Sequence, residues 1–173
     1  MRRWLWTLLL GLAVAKPAAG QECLNLLRLD CPAADFPDTA CVTVYVGNCD
    51  RPIDAFGFEI LYNTDHLLFV GVDRSNTLVE SWIRADAAPA PGNASRVRVG
   101  GYNLTGIVTG PPRPLIRLRF RVLSSFPFPT ALVFDEASLT DDVVGFSLFD
   151  CIVPLPVEDR TWGGVKALYG ANP

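Results

Sequence analysis

The chain has 173 residues, half of them apolar, a formal charge of −3, and only Lys16 and Lys166 as lysines among its 15 basic residues. That balance excludes a disordered chain, which lacks the apolar surface to fold, and it supplies no basic excess for gripping a nucleic acid. Its length suits one domain of ordinary size. The first element is Met1-Arg2-Arg3 followed by the apolar run Trp4 to Val14 and the small residues Ala13, Ala15, Ala18, Ala19 and Gly20. This is the pattern of a secretory signal peptide over residues 1–20, cleaved after Gly20 rather than Ala15. The run is shorter than the roughly 20 residues that span a bilayer. No later stretch is apolar enough to span one, so the expectation is a secreted, extracellular chain with no membrane span.

After the leader, short strands with turn residues between them are predicted at 24–29, 39–46, 53–62, 67–72, 81–86, 96–102, 115–123, 131–139 and 143–153. Within 53–62, Phe56, Phe58, Ile60 and Tyr62 share one face while Ala55, Gly57, Glu59 and Leu61 share the other, the two-residue period of a half-buried strand. Asn63 to Asp65 break the run, and the nearly unbroken apolar segment 67–72 reads as a strand buried in a sandwich core. Val42, Val44 and Val46 alternate in the second strand, and Val97 and Val99 in the sixth, with Arg96 and Arg98 outward. In the seventh, Ile116, Leu118, Phe120 and Val122 face one way and Arg117, Arg119 and Arg121 the other. Pro/Gly/Asn clusters at 88–93 and 109–114 read as turns and loops. Some nine strands with few helices imply an all-β antiparallel sandwich.

Five cysteines follow the leader: Cys23, Cys31, Cys41, Cys49 and Cys151. In an exported chain they are disulfide candidates, and an odd number leaves at least one thiol unpaired or shared with another molecule. Four crowd together, so the bridges are expected to staple the N-terminal strand and its following loop to the body. No pair has the C-x2-C spacing of a zinc site. The inward apolar side chains, at about 1.5–3 kcal/mol each when fully buried, form a core that carries folding, with the disulfides as reinforcement.

The ordered set IDAFGFEILYN and LLFVGV within 53–72, RVRVGGY at 96–102, LIRLRFRVLSS at 115–125 and Phe134-Asp135-Glu136 resembles the cohesin domain across about residues 24–153. The resemblance implies a nine-stranded jelly-roll sandwich over residues 21–155. It also implies a non-catalytic, cofactor-free module that binds an extracellular protein through one sheet face, or, as in related carbohydrate-binding modules, a polysaccharide. In dockerin-binding cohesins the strand matching 53–62 presents an asparagine and an aspartate outward, where this chain has Ala55 and Gly57. The implied binding face is Ala55, Gly57, Glu59 and Leu61, with Arg96 and Arg98 beside Glu59 on the sheet opposite the Arg117 stripe. Its partner need not be a dockerin.

Catalysis has little support in the residues. His66, the only histidine, starts a strand after a turn, and adjacent acids such as Asp135 and Glu136 point to opposite faces rather than into one cleft. Asp141 and Asp142, with Asp135, are oxygen donors of the kind calcium takes, or solvated loop acids. Arg117, Arg119 and Arg121 suit either solvation and cross-strand pairing or an acidic polysaccharide or protein partner. Trp82, Tyr102 and Trp162 are the candidates for stacking on a sugar. The sequons at Asn93 and Asn103 matter only in a eukaryotic secretory pathway. Residues 156–173 form a tail in which Trp162, Val165, Leu168 and Tyr169 suit one or two helical turns laid against the sandwich, or a docking tail.

Overall fold

The structure is a computed structural model that describes residues 24–34, 38–123 and 130–154. The leader 1–20, Cys23 and the tail 156–173 with Trp162 lie outside the described residues. The strands are β1 (Leu26–Asp30), β2 (Thr39–Gly47), β3 (Ile53–Leu61), β4 (Leu67–Asp73), β5 (Arg84–Ala90), β6 (Asn93–Ile107), β7 (Arg113–Val122), β8 (Thr130–Asp141), β9 (Ser147–Phe149) and β10 (Cys151–Val153). They form two five-stranded sheets, in the orders β4-β7-β2-β1-β9 and β10-β8-β3-β6-β5. The chain changes sheet at most connections, the alternation of a jelly roll. Among the described residues no helix is long and apolar enough to cross a membrane.

The two-residue period decides what is inside. Val42, Val44 and Val46 from β2, Phe56, Phe58 and Ile60 from β3, Val97 and Val99 from β6, and Leu118 and Phe120 from β7 are all buried between the sheets. Aromatic edges pack the core: Phe58 meets Phe134 edge-on at 5.5 Å within one sheet, and Tyr62, just past β3, meets Phe120 of the other sheet at 5.1 Å. Leu115 is buried as well as Ile116, because the β2–β7 register shifts between Val44 and Tyr45.

Three expectations need adjustment. The last predicted strand is two strands: β9 runs parallel to β1 in one sheet and β10 antiparallel to β8 in the other, with Asp150 at the crossing. This makes ten strands in place of nine, with one parallel pair in an otherwise antiparallel sandwich. The segment 67–72 is an edge strand rather than a buried one, leaving Leu68 and Val70 half exposed. The fifth strand begins only at Arg84, after turns that bury Val79 and Trp82. The cluster at 88–93 forms the turn of a tight hairpin: β5 runs to Ala90 and β6 starts at Asn93, with Gly92 at positive φ.

Two features lock the ends of the sandwich. Asn48 is fully buried, and its amide donates to the carbonyls of Arg51 (2.7 Å) and Ile107 (2.9 Å) and accepts from the Thr109 N–H (2.8 Å), tying the β2–β3 turn to the end of β6. Cys31, just past β1, is disulfide-bonded to Cys151 at the start of β10, so one bridge joins the two sheets. Cys49 is also disulfide-bonded, and the half-buried Cys41 is a free thiol.

Candidate functional site

The outer face of the β10-β8-β3-β6-β5 sheet brings all six predicted binding-face residues together. Alternation sends Ala55, Gly57, Glu59 and Leu61 outward from β3, and the register sets each beside a β6 residue: Ala55 by Tyr102, Gly57 by Gly100, Glu59 by Arg98 and Leu61 by Arg96. On the next strand Tyr102 pairs with Arg84 and Gly100 with Asp86. The centre of this face is an ionic lattice. Arg98 donates from Nε (3.1 Å) and Nη2 (2.9 Å) to Glu59 Oε1. Arg96 donates from Nη1 to Glu59 Oε2 at 3.2 Å and to Asp135 Oδ2. Two guanidiniums and two carboxylates thus balance. Hydrogen bonds from Arg98, then from Arg96, hold the Glu59 carboxyl below its ordinary range, and the same carboxylates push Arg96 up.

Beside the lattice the floor is nearly bare. A Cβ on Gly57 would collide with Thr140 Oγ1, so the side chain that β3 lacks is replaced by one from β8. Thr140 donates in turn to Asp141 Oδ2 (2.8 Å), and Asp141 sits at φ 59°. Asp142 is spent on structure, since its Oδ2 accepts from the backbone of Asp54 (2.8 Å) and Ala55 (3.0 Å). Between this end of β8 and the β5–β6 hairpin lies an open groove of about 620 Å³, floored by Ala55 and Gly100 and walled by Tyr102, Arg84, Asp86 and Asp141. Tyr102 is half exposed beside it.

The arrangement fixes charges of both signs beside an open groove. Glu59 shares Arg96 with Asp135, and the Glu59 carboxyl, held ionised, is in the wrong state for a general acid. His66 Nδ1 lies 2.5 Å from Thr130 Oγ1 at the turn leading out of β3. Among the described residues no group of three or more His, Cys, Asp or Glu could hold a metal, and Asp135 and Asp142 are already engaged by arginine and by backbone. Trp82 packs on Phe56 at 5.5 Å inside the core, so of the two sugar-stacking candidates among the described residues, Trp82 and Tyr102, Tyr102 reaches this face. Sequence reasoning missed Thr140, Arg84 and Asp86. Thr140 carried no signal, and Arg84 and Asp86 alternate only with the small Ala85 and Ala87 before Pro89 breaks the pattern.

No protein-family model matches the chain, and no curated protein matches it. Solved structures do. The seventh ScaB type I cohesin from Pseudobacteroides cellulosolvens aligns with a TM-score of 0.59 at 9% identity, covering 80% of this chain and 96% of that one. The sixth cohesin from scaffoldin B of Acetivibrio cellulolyticus, solved in complex with a dockerin, aligns at 0.56 with 14% identity, covering 75% and 99%. A non-cellulosomal cohesin from the archaeon Archaeoglobus fulgidus aligns at 0.56 with 16% identity, covering 86% and 99%. Such identities speak to architecture alone. Across its described strands, the chain has the fold of a cohesin-like domain.

Proposed function

We propose that the domain is a non-catalytic binding module, exported from the cell, that holds a partner protein on the outer face of the β10-β8-β3-β6-β5 sheet. The observation that carries this reading is the face itself: a balanced ionic lattice beside a bare-floored groove, both fixed by cross-strand contacts before any partner arrives. Pre-organised charge of both signs costs little further ordering on binding and favours complementary protein surfaces. The cohesin fold supports the same reading, since the Acetivibrio neighbour is seen with a dockerin. Ala55 and Gly57 give a partner no side-chain hydrogen bonds, so recognition falls to Tyr102, Arg84, Asp86 and Arg98 around them.

A second reading, polysaccharide binding, rests on one observation, the half-exposed Tyr102 ring beside a groove with Arg84 and Asp86, an arrangement that could stack and hydrogen-bond a sugar. One experiment separates the two. The immobilised chain and its Tyr102→Ala variant are titrated with purified dockerin modules and, in parallel, run on neutral polysaccharide affinity gels. Dockerin binding weakened at least about tenfold by Tyr102→Ala supports the protein partner. Retardation by a neutral glycan, abolished by the same variant and without dockerin binding, replaces it with the second reading.

A further inference from the structure

We infer that the outer face of the other sheet, β4-β7-β2-β1-β9, is a separate binding site for an anionic polysaccharide. Arg117, Arg119 and Arg121 alternate with the buried Leu118 and Phe120 on β7, so all three leave the same face, about 6.8 Å apart at two residues per step. Their neighbours are small or uncharged at one end of the row: Arg119 lies between Cys41 and Gly71, and Arg121 between Thr39 and Leu68. Gly71 has open space where a side chain would stand. Arg117 faces an acid directly across the strand, Asp73, whose charge also acts on Arg119, and the Arg117 Nη1 donates to the Ser75 carbonyl at 2.5 Å. Two strands from β7, on β1, Arg28 is exposed and lies over the Tyr45 ring at 4.9 Å, with Asp30 leaving the same face toward the Arg117 end of the row.

The two faces of the sandwich treat arginine in opposite ways. Among the described residues every ion pair belongs to Arg96 or Arg98 on the first sheet, and Arg119 and Arg121 have none. Solubility is served by charges of mixed sign, whereas a single-sign row makes a field that selects an opposite charge. The guanidinium fork matches carboxylate and other oxyanions. A straight, evenly pitched, shallow row suits a linear polymer whose own charges repeat, because many weak contacts then add along it. This site is independent of the protein-binding face and lies on the opposite sheet, so both can be filled at once.

The test is affinity electrophoresis of the full chain through native gels carrying polygalacturonate, dextran sulfate or neutral dextran. Retardation is expected with a polyanion and not with dextran. It should fall with added salt, and whichever polyanion retards more identifies the preferred oxyanion. Arg119→Gln with Arg121→Gln is expected to weaken apparent affinity about five- to tenfold while leaving the circular dichroism spectrum and unfolding midpoint unchanged, whereas Arg84→Gln on the other face leaves affinity intact. Equal mobility in all three gels, the result for a face that grips an acidic protein instead, overturns the inference. So does a folded double variant retarded as strongly as the wild type, or an equal loss in Arg84→Gln.

Discussion

Glu59 takes both arginines of β6, and the consequence is a defined response to acid. Its carboxyl titrates below the ordinary value of 4.5 because Arg98 and then Arg96 hydrogen-bond the ionised form. A folded pKa below the unfolded one means that folding favours the deprotonated group. The resulting stability is complete above about pH 4.5 and is lost as pH falls from there through the folded value. The urea midpoint of the wild type is therefore expected to fall more steeply through that window than that of Glu59→Gln, with the curves meeting below it. A constant gap between the curves from neutral pH to pH 2 would show that the pair contributes nothing pH-dependent. The alternation at 53–62 and 96–102 turned Glu59, Arg96 and Arg98 outward, and the strand order that the cohesin resemblance implies put them on one face. It said nothing of Asp135 as the fourth member, nor of why residue 57 is glycine, because Thr140, which fills that space, comes from a strand distant in sequence.

At the scale of elements, strands with one wet face were legible and those without were not. β3, β6 and β7 sit inside their sheets with one face on the core, so their period of two maps directly onto burial. β4 carries apolar residues on both faces, a pattern shared by buried strands and by this half-exposed edge, and periodicity alone cannot separate the two. The last predicted strand hid a change of sheet. There Asp150, between β9 and β10, accepts the Phe134 N–H at 2.8 Å and so anchors the crossing to β8. Asp150→Ala leaves that part-buried donor unpaired, a loss of about 1–3 kcal/mol in unfolding free energy. Amide exchange at Phe134 should accelerate while β2 and β7 amides keep their protection. Unchanged exchange there would mean that the β8–β10 pairing holds without the aspartate.

For the whole molecule, the decisive covalent fact is that Cys31 and Cys151 join one sheet to the other across a sequence separation of 120. An odd cysteine count pointed to a bridged N-terminal region with at least one thiol left over, and Cys41 is such a thiol. Which cysteines pair could not be read, since pairing depends on the distance between chain ends in the folded sandwich. Closing so long a loop removes much of the unfolded chain's freedom, about 5 kcal/mol in the chain-entropy limit and about 2–4 kcal/mol in typical measurements. The core, however, does not need the bridge to define it: Val42, Val44, Phe58, Ile60, Leu118 and Phe120 are buried between the sheets by strand pairing and alternation. Cys31→Ser with Cys151→Ser is accordingly expected to keep the β-sheet circular dichroism spectrum and lose about 2–5 kcal/mol in denaturant unfolding. Collapse of the spectrum would show that side-chain packing alone cannot hold the two sheets together. An unchanged midpoint would show that the bridge constrains nothing the core has not already fixed.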